Sequence, residues 1–150
     1  HNNLHISKLW NVLPNKLYGM PAPEKKDLQN LSNKKIKSIV CLLEDNSNIE
    51  DYNTNGFESL WLPVPDNEAP TFEQVEKLVE FIDAQNEKNN PVAIHCQGGK
   101  GRTATLIASY VIAKGSSYEE AMNQIETNQP NAIKKDFQIN FLKELSKKVR

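Results

Sequence analysis

The segment formed by residues 92–113 most constrains the fold, because in it a glycine-rich turn joins two apolar runs. The run 92–94 has the character of a buried strand, and the run 103–113 is apolar on nearly every side, as in a buried helix. The turn between them reads His95-Cys96-Gln97-Gly98-Gly99-Lys100-Gly101-Arg102. The sequence therefore predicts a strand, a loop and a helix in succession, with the loop at the N-terminus of the helix.

A loop at this position favours a bound anion. The first N–H groups of a helix lack intrahelical partners, and the positive end of the helix dipole lies at the same point. Gly98, Gly99 and Gly101 allow consecutive amides to turn inward without a Cβ in the way. The same field favours the thiolate form of Cys96 over the thiol. We expect a phosphate-binding loop with a nucleophilic sulfur at its floor.

Arginine is scarce in this chain, which has two arginines, Arg102 and Arg150, against sixteen lysines. The one internal arginine ends the glycine-rich turn, where a planar guanidinium can hold two phosphate oxygens at once. A salt bridge at the start of a helix is the ordinary alternative for such a residue. Its place beside the cysteine and the glycines favours phosphate binding.

Four positions of this segment resemble the signature of the cysteine-dependent protein tyrosine phosphatase superfamily. That signature is His-Cys, five residues, then Arg and Ser or Thr, and it is filled by His95, Cys96, Arg102 and Thr103. The short chain is similar to the compact dual-specificity branch and to small microbial tyrosine phosphatases. The resemblance implies an α/β fold, with a central, mostly parallel sheet of about four to five strands flanked by helices. It also implies a single dual-specificity-like phosphatase domain over residues 1–150.

The resemblance implies a double displacement in which Cys96 attacks the phosphoryl group and a cysteinyl-phosphate forms. The residues that would bind the phosphate are Gln97, Gly98, Gly99, Lys100, Gly101 and Arg102. Thr103 would donate its hydroxyl to the sulfur, and His95 would brace the loop. The ordinary alternatives are a threonine that satisfies the helix backbone and a buried core histidine.

Asp66 is the predicted general acid. It follows an apolar run and lies in a loop stiffened by three prolines, a setting that can present a carboxyl group to a neighbouring pocket. In the resembled family a mobile loop upstream of the cysteine carries the acid, and Asp66 matches it in residue type and proline context. The alternatives are a structural turn cap at Asp66 or another carboxylate as the acid. These other carboxylates are Glu68, Glu44 and Asp45.

Two residues outside the loop are candidates for supporting roles. Gln138 could orient the hydrolytic water, because the resembled family often places a glutamine or asparagine late in the domain; otherwise it belongs to a solvated helix face. Cys41 lies in an apolar run, where a cysteine is first a small core side chain. One residue of strand register decides whether Cys41 faces the pocket, where it could form a protective disulfide with Cys96, or the opposite side.

Composition limits the other classes of function. The net charge of −1 provides no global basic field for nucleic acid, and the dispersed cysteines and histidines have no metal-binding spacing. No apolar stretch approaches the ~20 residues of a membrane-spanning helix. We expect no metal, no cofactor, no nucleic acid and no stable membrane association. The expected protein is a cytoplasmic monomer that acts on a phosphorylated protein or peptide.

Substrate choice is the least constrained expectation. A deep pocket would select phosphotyrosine by reach, and a shallow one would also admit phosphoserine and phosphothreonine; Tyr18 is the candidate wall residue. A phosphoinositide or inositol-phosphate phosphatase is the alternative, suggested by Lys100 in the loop and weakened by Gln97, since the lipid enzymes commonly place a lysine there. A non-catalytic phosphate-binding module and a rhodanese-like sulfurtransferase are further alternatives, which Asp66 and the Cys-to-Arg spacing disfavour.

The remaining elements alternate along the chain. Apolar runs predict strands at residues 9–12, 16–19, 36–43 and 57–64, and helical periodicity predicts helices at 24–31 and 71–86. Ser117 and Glu120 predict a capped helix that reaches residue 128, and a last helix carries the apolar residues 137–145. The Asn- and Asp-rich stretch 45–56 is predicted to be a loop or an irregular helical turn.

Overall fold

The computed structural model describes residues 8–149, which form one five-stranded sheet and six α-helices. The strands are β1 (Trp10–Leu13), β2 (Leu17–Met20), β3 (Ser38–Cys41), β4 (Glu58–Trp61) and β5 (Val92–His95). The helices are α1 (Lys25–Asn33), α2 (Asn48–Thr54), α3 (Phe72–Glu87), α4 (Gly101–Ala113), α5 (Tyr118–Asn128) and α6 (Asp136–Lys148). The predicted α/β class, with a mostly parallel sheet flanked by helices, is confirmed.

The sheet order β1-β2-β5-β3-β4 places β5 at the centre. Strands β2, β5, β3 and β4 run parallel, and β1 pairs antiparallel with β2. His95, the last residue of β5, pairs with Met20 on one side and with Cys41 on the other. Ligands of open parallel sheets bind beyond the carboxyl ends of the strands. The chain that follows His95 emerges at the middle of that edge.

Each face of the sheet is covered by its own apolar cluster. The larger cluster joins one face to α3, α4, α5 and α6, and includes Val40 and Ile94 from the strands. The smaller cluster joins the other face to α1 and α2, and includes Ile39 and Ala93. Successive residues of a strand point to opposite faces, so strands buried on both faces are apolar throughout. None of the helices in residues 8–149 is long and apolar enough to cross a bilayer.

The stretch 45–56 differs most from its prediction, because it contains α2, a regular helix of seven residues. Its Asn and Asp residues have low helix propensity. However, Tyr52 is only 2 % exposed and packs in the smaller cluster. Burial of that side chain supplies the stability that short helices lack in isolation, and nothing in the local composition indicates it.

Element boundaries differ from prediction by at most three residues. The predicted strands 36–43 and 57–64 are shorter, because apolar residues at their ends, such as Leu42 and Val64, are buried in loop segments. The central helix begins at Gly101, two residues before the predicted start at Thr103. Arg102 therefore lies in the first turn of α4.

Candidate active site

The phosphate loop, residues 96–102, connects β5 to α4 and is pressed against the end of β2. Gly99 has φ +76°, and a Cβ built there would lie 2.4 Å from both Met20 C and Pro21 N. A side chain at this position would be strained and would also collide with backbone. The backbone N–H of Ala22 donates to the carbonyl of Gln97 at 3.1 Å. The loop thus depends on glycine for its close approach to the preceding strand.

Trp10 on β1 holds the outer side of the phosphate loop. Its indole N–H donates to the Gly99 carbonyl at 3.1 Å, and the ring lies against Gly19, where a Cβ would be 2.5 Å from the indole. In a trans peptide the C=O and the following N–H point in opposite directions. Holding the Gly99 carbonyl toward Trp10 therefore directs the N–H of Lys100 away from Trp10, and we expect this orientation to assist anion binding by the loop.

A Trp10→Phe variant should bind phosphate and vanadate more weakly, because the Gly99 carbonyl loses its donor while the aromatic packing is retained. A buried carbonyl left without a partner costs roughly 1–3 kcal/mol, so we expect a weakening of about tenfold in a vanadate competition assay. The matched control is Trp61→Phe, which removes an indole N–H bonded to the Leu43 carbonyl. Equal vanadate affinity of Trp10→Phe and the parent protein would contradict the orienting role of Trp10.

Cys96 lies at the floor of the loop and is 3 % exposed. The Oγ1 of Thr103 is 3.1 Å from its Sγ and can donate a hydrogen bond to the sulfur. The first intrahelical bond of α4 runs from the Ala104 N–H to the Lys100 carbonyl. Since the N–H groups that precede Ala104 in an α-helix have no intrahelical acceptor, the N-terminus of α4 offers donors beside the sulfur.

His95 lies beneath the loop, buried between the backbone and α2. Burial lowers its pKa to about 4, a hydrogen bond to the Cys96 carbonyl partly opposes this shift, and the positive charge of Arg102 adds to it. The ring is therefore neutral near pH 7, with Nδ1 donating to the Cys96 carbonyl at 3.0 Å. Nε2 then accepts from the hydroxyl of Tyr52 at 2.9 Å, and burial raises the pKa of Tyr52, which keeps its proton.

Arg102 and Asp66 meet at the side of the loop. The Nη1 of Arg102 donates to the Val64 carbonyl at 2.9 Å, which fixes the guanidinium against the segment after β4. Its Nε lies 4.0 Å from Oδ1 of Asp66. The arginine side chain is 13 % exposed, whereas that of Asp66 is 81 % exposed. The structure thus combines a mostly buried cation with a carboxylate open to solvent.

A cavity of about 320 Å³ joins these groups. Its lining residues are Asp66, Asn67, Cys96, Gln97, Gly98, Lys100, Gly101, Arg102, Lys134, Lys135, Phe137 and Gln138. Most residues proposed from the sequence as catalytic or phosphate-binding are therefore brought together. Asp66 is the one carboxylate among the described residues that line the cavity. The other candidates for the general acid, Glu44, Asp45 and Glu68, do not line it.

Gln138 closes one side of this cavity. Its side chain is only 5 % exposed and lies at a buried position of α6. The alternative considered above, a solvated helix face, is therefore wrong. Its Oε1 is buried without a hydrogen-bond partner in the described part of the chain. A Cβ at Gly101 would lie 3.2 Å from its Nε2, so the amide packs against the first residue of α4.

Cys41 and Tyr18 face away from the cavity. Both pack in the smaller cluster, whereas Cys96 belongs to the larger one, on the other face of the sheet. Cys41 pairs with His95 in the sheet, so the next residue, Cys96, points to the opposite face. Within residues 8–149 no group of three or more His, Cys, Asp or Glu side chains could hold a metal ion.

Sequence reasoning missed three parts of the site. Trp10 and Tyr52 reach the loop from distant segments, and no local pattern shows that a strand tryptophan or a tyrosine in an Asn-rich stretch will contact it. Lys134 and Lys135 line the cavity although they follow α5 in the chain. Their adjacent charges just before a helix were a visible signal, since cations are disfavoured at helix N-termini.

Comparisons with known proteins agree with this geometry. A family model described as "Polymorphic toxin system, DSP-PTPase phosphatase" (Tc-R-P) matches residues 14–116. The PRL-1 phosphatase of Drosophila melanogaster is 27% identical over 125 residues, which are 82% of this chain and 70% of that protein. The tyrosine-protein phosphatase cdc-14 of Caenorhabditis elegans is 31% identical over 66% of this chain, but the match spans 14% of its own length.

Solved structures show the same fold. The crystal structure of Tk-PTP in the active form superposes with a TM-score of 0.86 at 26% identity, covering 93% of this chain and 97% of that one. The segment matched by the family model includes Asp66, the whole phosphate loop and α4. The chain belongs to the Tc-R-P family of DSP-PTPase phosphatases, within the cysteine-dependent protein tyrosine phosphatase superfamily.

Proposed function

We propose that this chain hydrolyses phosphotyrosine in proteins or peptides, with phosphoserine and phosphothreonine as further substrates, through a cysteinyl-phosphate intermediate. The observation that carries the proposal is the position of Cys96. Its sulfur lies 3.1 Å from the Thr103 hydroxyl, at the N-terminus of α4. A helix N-terminus, the loop amides and Arg102 all favour an anion at that point.

In the first step the Cys96 thiolate attacks phosphorus while the bond between phosphorus and the leaving oxygen breaks. The leaving oxygen takes a proton from Asp66, so the alcohol or phenol departs neutral. The guanidinium of Arg102 and the loop N–H groups hold the oxygens that do not react, which carry the developing charge. The product of this step is a phosphate group bonded to sulfur.

In the second step a water molecule attacks the phosphorus of the intermediate. The Asp66 carboxylate takes the water proton, the bond between sulfur and phosphorus breaks, and inorganic phosphate leaves. Thr103 can donate to the sulfur as it regains negative charge. The unpartnered Oε1 of Gln138, which is buried and belongs to a cavity-lining residue, is an acceptor for that water.

A protein substrate is favoured over a lipid by the neutral Gln97 directly after the nucleophile. We propose a phosphorylated protein or peptide as the partner, and a reducing, cytoplasmic location, because a thiolate nucleophile must stay reduced to act. Of the relatives named above, cdc-14 is described as a tyrosine-protein phosphatase. Phosphate release from phosphotyrosine, phosphoserine and phosphothreonine peptides should be compared with release from phosphoinositides. Faster release from the lipids would overturn the choice of substrate.

The direct test is hydrolysis of p-nitrophenyl phosphate, with vanadate as a competitor. We expect turnover without added metal and competitive inhibition, because vanadate has the shape and charge of phosphate. A purified, folded chain that neither hydrolyses the ester nor binds vanadate would overturn the proposed function.

An Asp66→Asn variant should slow poor leaving groups far more than good ones. An alkyl or phenyl oxygen needs a proton to depart, whereas an acidic phenol departs without one. We expect a decrease in kcat of roughly 10²- to 10³-fold with phenyl phosphate and a much smaller one with an aryl ester of low leaving-group pKa. The matched control is Glu68→Gln, which removes a nearby carboxylate outside the cavity lining. Equal slowing of both esters by Asp66→Asn would exclude it as the acid.

A further inference from the structure

Two adjacent lysines, Lys134 and Lys135, line the same cavity as the phosphate loop. Both are exposed, so they lie at its rim. The segment that carries them approaches the start of α4, since a Cβ at Gly101 would lie 3.7 Å from the Ala132 carbonyl oxygen. The rim of the cavity therefore includes a basic pair from a part of the chain distant in sequence from the loop.

Positive charge exceeds negative charge at this cavity. The described cationic lining residues are Lys100, Arg102, Lys134 and Lys135, and the carboxylate among them is Asp66. The whole chain carries a net charge of −1. The ion pairs described for residues 8–149 include none with Lys134 or Lys135. Two cations that form no ion pair within residues 8–149 thus stand beside the place where an anionic substrate would bind.

The position of these lysines opposes the stability of α6. Lys135 is the N-cap residue, has an extended backbone and makes no side-chain cap hydrogen bond. A lysine cannot accept the free N–H groups of a helix start, and its charge is repelled by the helix dipole. The chain caps other helices well, because Thr71 and Ser117 form capping boxes at α3 and α5. Departures from local rules are expected where a site requires them.

The phosphoryl group that reacts does not need these lysines. In the proposed mechanism the loop amides, the N-terminus of α4 and Arg102 bind that group. A rim cation pair can instead hold a second anion a short distance away. An inositol polyphosphate places several phosphates on one small ring and would require cations within the loop itself, where this chain has the neutral Gln97 and one lysine, Lys100. An extended peptide can span the distance from the floor to the rim.

We propose that Lys134 and Lys135 form a second anion-binding subsite that recognises an acidic residue close to the phosphorylated residue of a peptide substrate. This proposal rests on the proposed function, because the subsite would determine which residues flank the phosphorylated residue in a preferred substrate. Rim charges act through electrostatic complementarity, which increases the association rate and selects among partners.

The test compares two phosphotyrosine peptides that differ in the residues flanking the phosphotyrosine, which are Glu in one and Gln in the other. The preference is the ratio of kcat/KM for the acidic peptide to kcat/KM for the neutral peptide. In a Lys134→Gln/Lys135→Gln variant we expect this ratio to fall roughly three- to tenfold, as for two exposed charge pairs. Raising the salt concentration should lower the ratio of the parent protein, because salt screens exposed charges.

The matched control is Lys34→Gln/Lys35→Gln, which removes two adjacent positive charges between α1 and β3. These lysines precede β3, so they lie at the N-terminal ends of the parallel strands, opposite the end that carries the cavity. It should keep the preference of the parent protein. The subsite would be contradicted by an unchanged ratio in Lys134→Gln/Lys135→Gln, or by an equal fall in both double variants. A lysine-dependent preference for soluble inositol phosphates over both peptides would also overturn it. Failure to hydrolyse either peptide and p-nitrophenyl phosphate would refute the proposed function itself.

Discussion

A Cys96→Ser variant should lose roughly 10⁴-fold or more of kcat/KM toward aryl phosphates, because a serine hydroxyl remains protonated where a thiolate would attack. The change replaces one atom and leaves the Thr103 hydroxyl a hydrogen-bond partner at the same place. We therefore expect the fold and the phosphate loop to persist. Measurement of kcat/KM for p-nitrophenyl phosphate would show the lost turnover. Measurement of the dissociation constant of a phosphopeptide, without vanadate present, would show that binding is retained.

The control for this variant is Cys41→Ser, which alters the other cysteine of the chain. Cys41 is buried on the opposite face of the sheet, so this change should lower stability with little effect on kcat/KM. Placing a more polar hydroxyl among apolar side chains costs roughly 1–3 kcal/mol, which denaturant unfolding would measure. Substantial turnover by Cys96→Ser would contradict a mechanism that passes through a sulfur–phosphorus bond.

An Arg102→Lys variant should lose roughly 10³-fold of kcat/KM, in the range found for groups that stabilise transferring phosphoryl oxygens. Lysine keeps the positive charge but presents a point charge in place of a planar fork, so it cannot hold two oxygens in fixed positions. Most of the loss should appear in kcat, because the charge on these oxygens is redistributed in the transition state. Steady-state kinetics with p-nitrophenyl phosphate would separate kcat from KM.

The same substitution also removes the hydrogen bond from Arg102 to the Val64 carbonyl. Loss of that bond should lower the free energy of unfolding by about 1 kcal/mol, an effect too small to explain the kinetic loss. Denaturant unfolding of Arg102→Lys distinguishes the two contributions. Wild-type kcat/KM in a folded Arg102→Lys protein would show that a simple positive charge is sufficient at this position.

The residues nearest the chemistry were those that the sequence indicated best. The glycine-rich turn between two apolar runs predicts a strand, a loop and a helix by local rules alone, and it places Cys96 and Arg102 at the two ends of one loop. Asp66 required more, because a proline-rich loop can point anywhere; the structure brings it to 4.0 Å from the arginine. Local pattern and family resemblance together were sufficient to place these three residues at one cavity, and their catalytic roles stay predictions.

Contacts between distant segments were beyond prediction. Trp10 on β1 contacts Gly99, which follows β5. This contact exists because the sheet places β1 beside β2 and β2 beside β5. Tyr52 reaches His95 because α2 covers one face of the sheet, although its local composition favours a loop. These contacts depend on strand order and helix placement, and a single sequence contains no periodic signal for either.

The opposite orientation of the two cysteines determines how this protein would respond to peroxide. Oxidation of Cys96 would yield a sulfenic acid, which a second thiol can convert to a disulfide before further, irreversible oxidation. Cys41 and Cys96 pack in apolar clusters on opposite faces of the sheet, so a disulfide between them would require at least one of the two side chains to reorient. A small thiol such as glutathione, which reaches Cys96 through the open cavity, needs no such reorientation and is the simpler route of recovery.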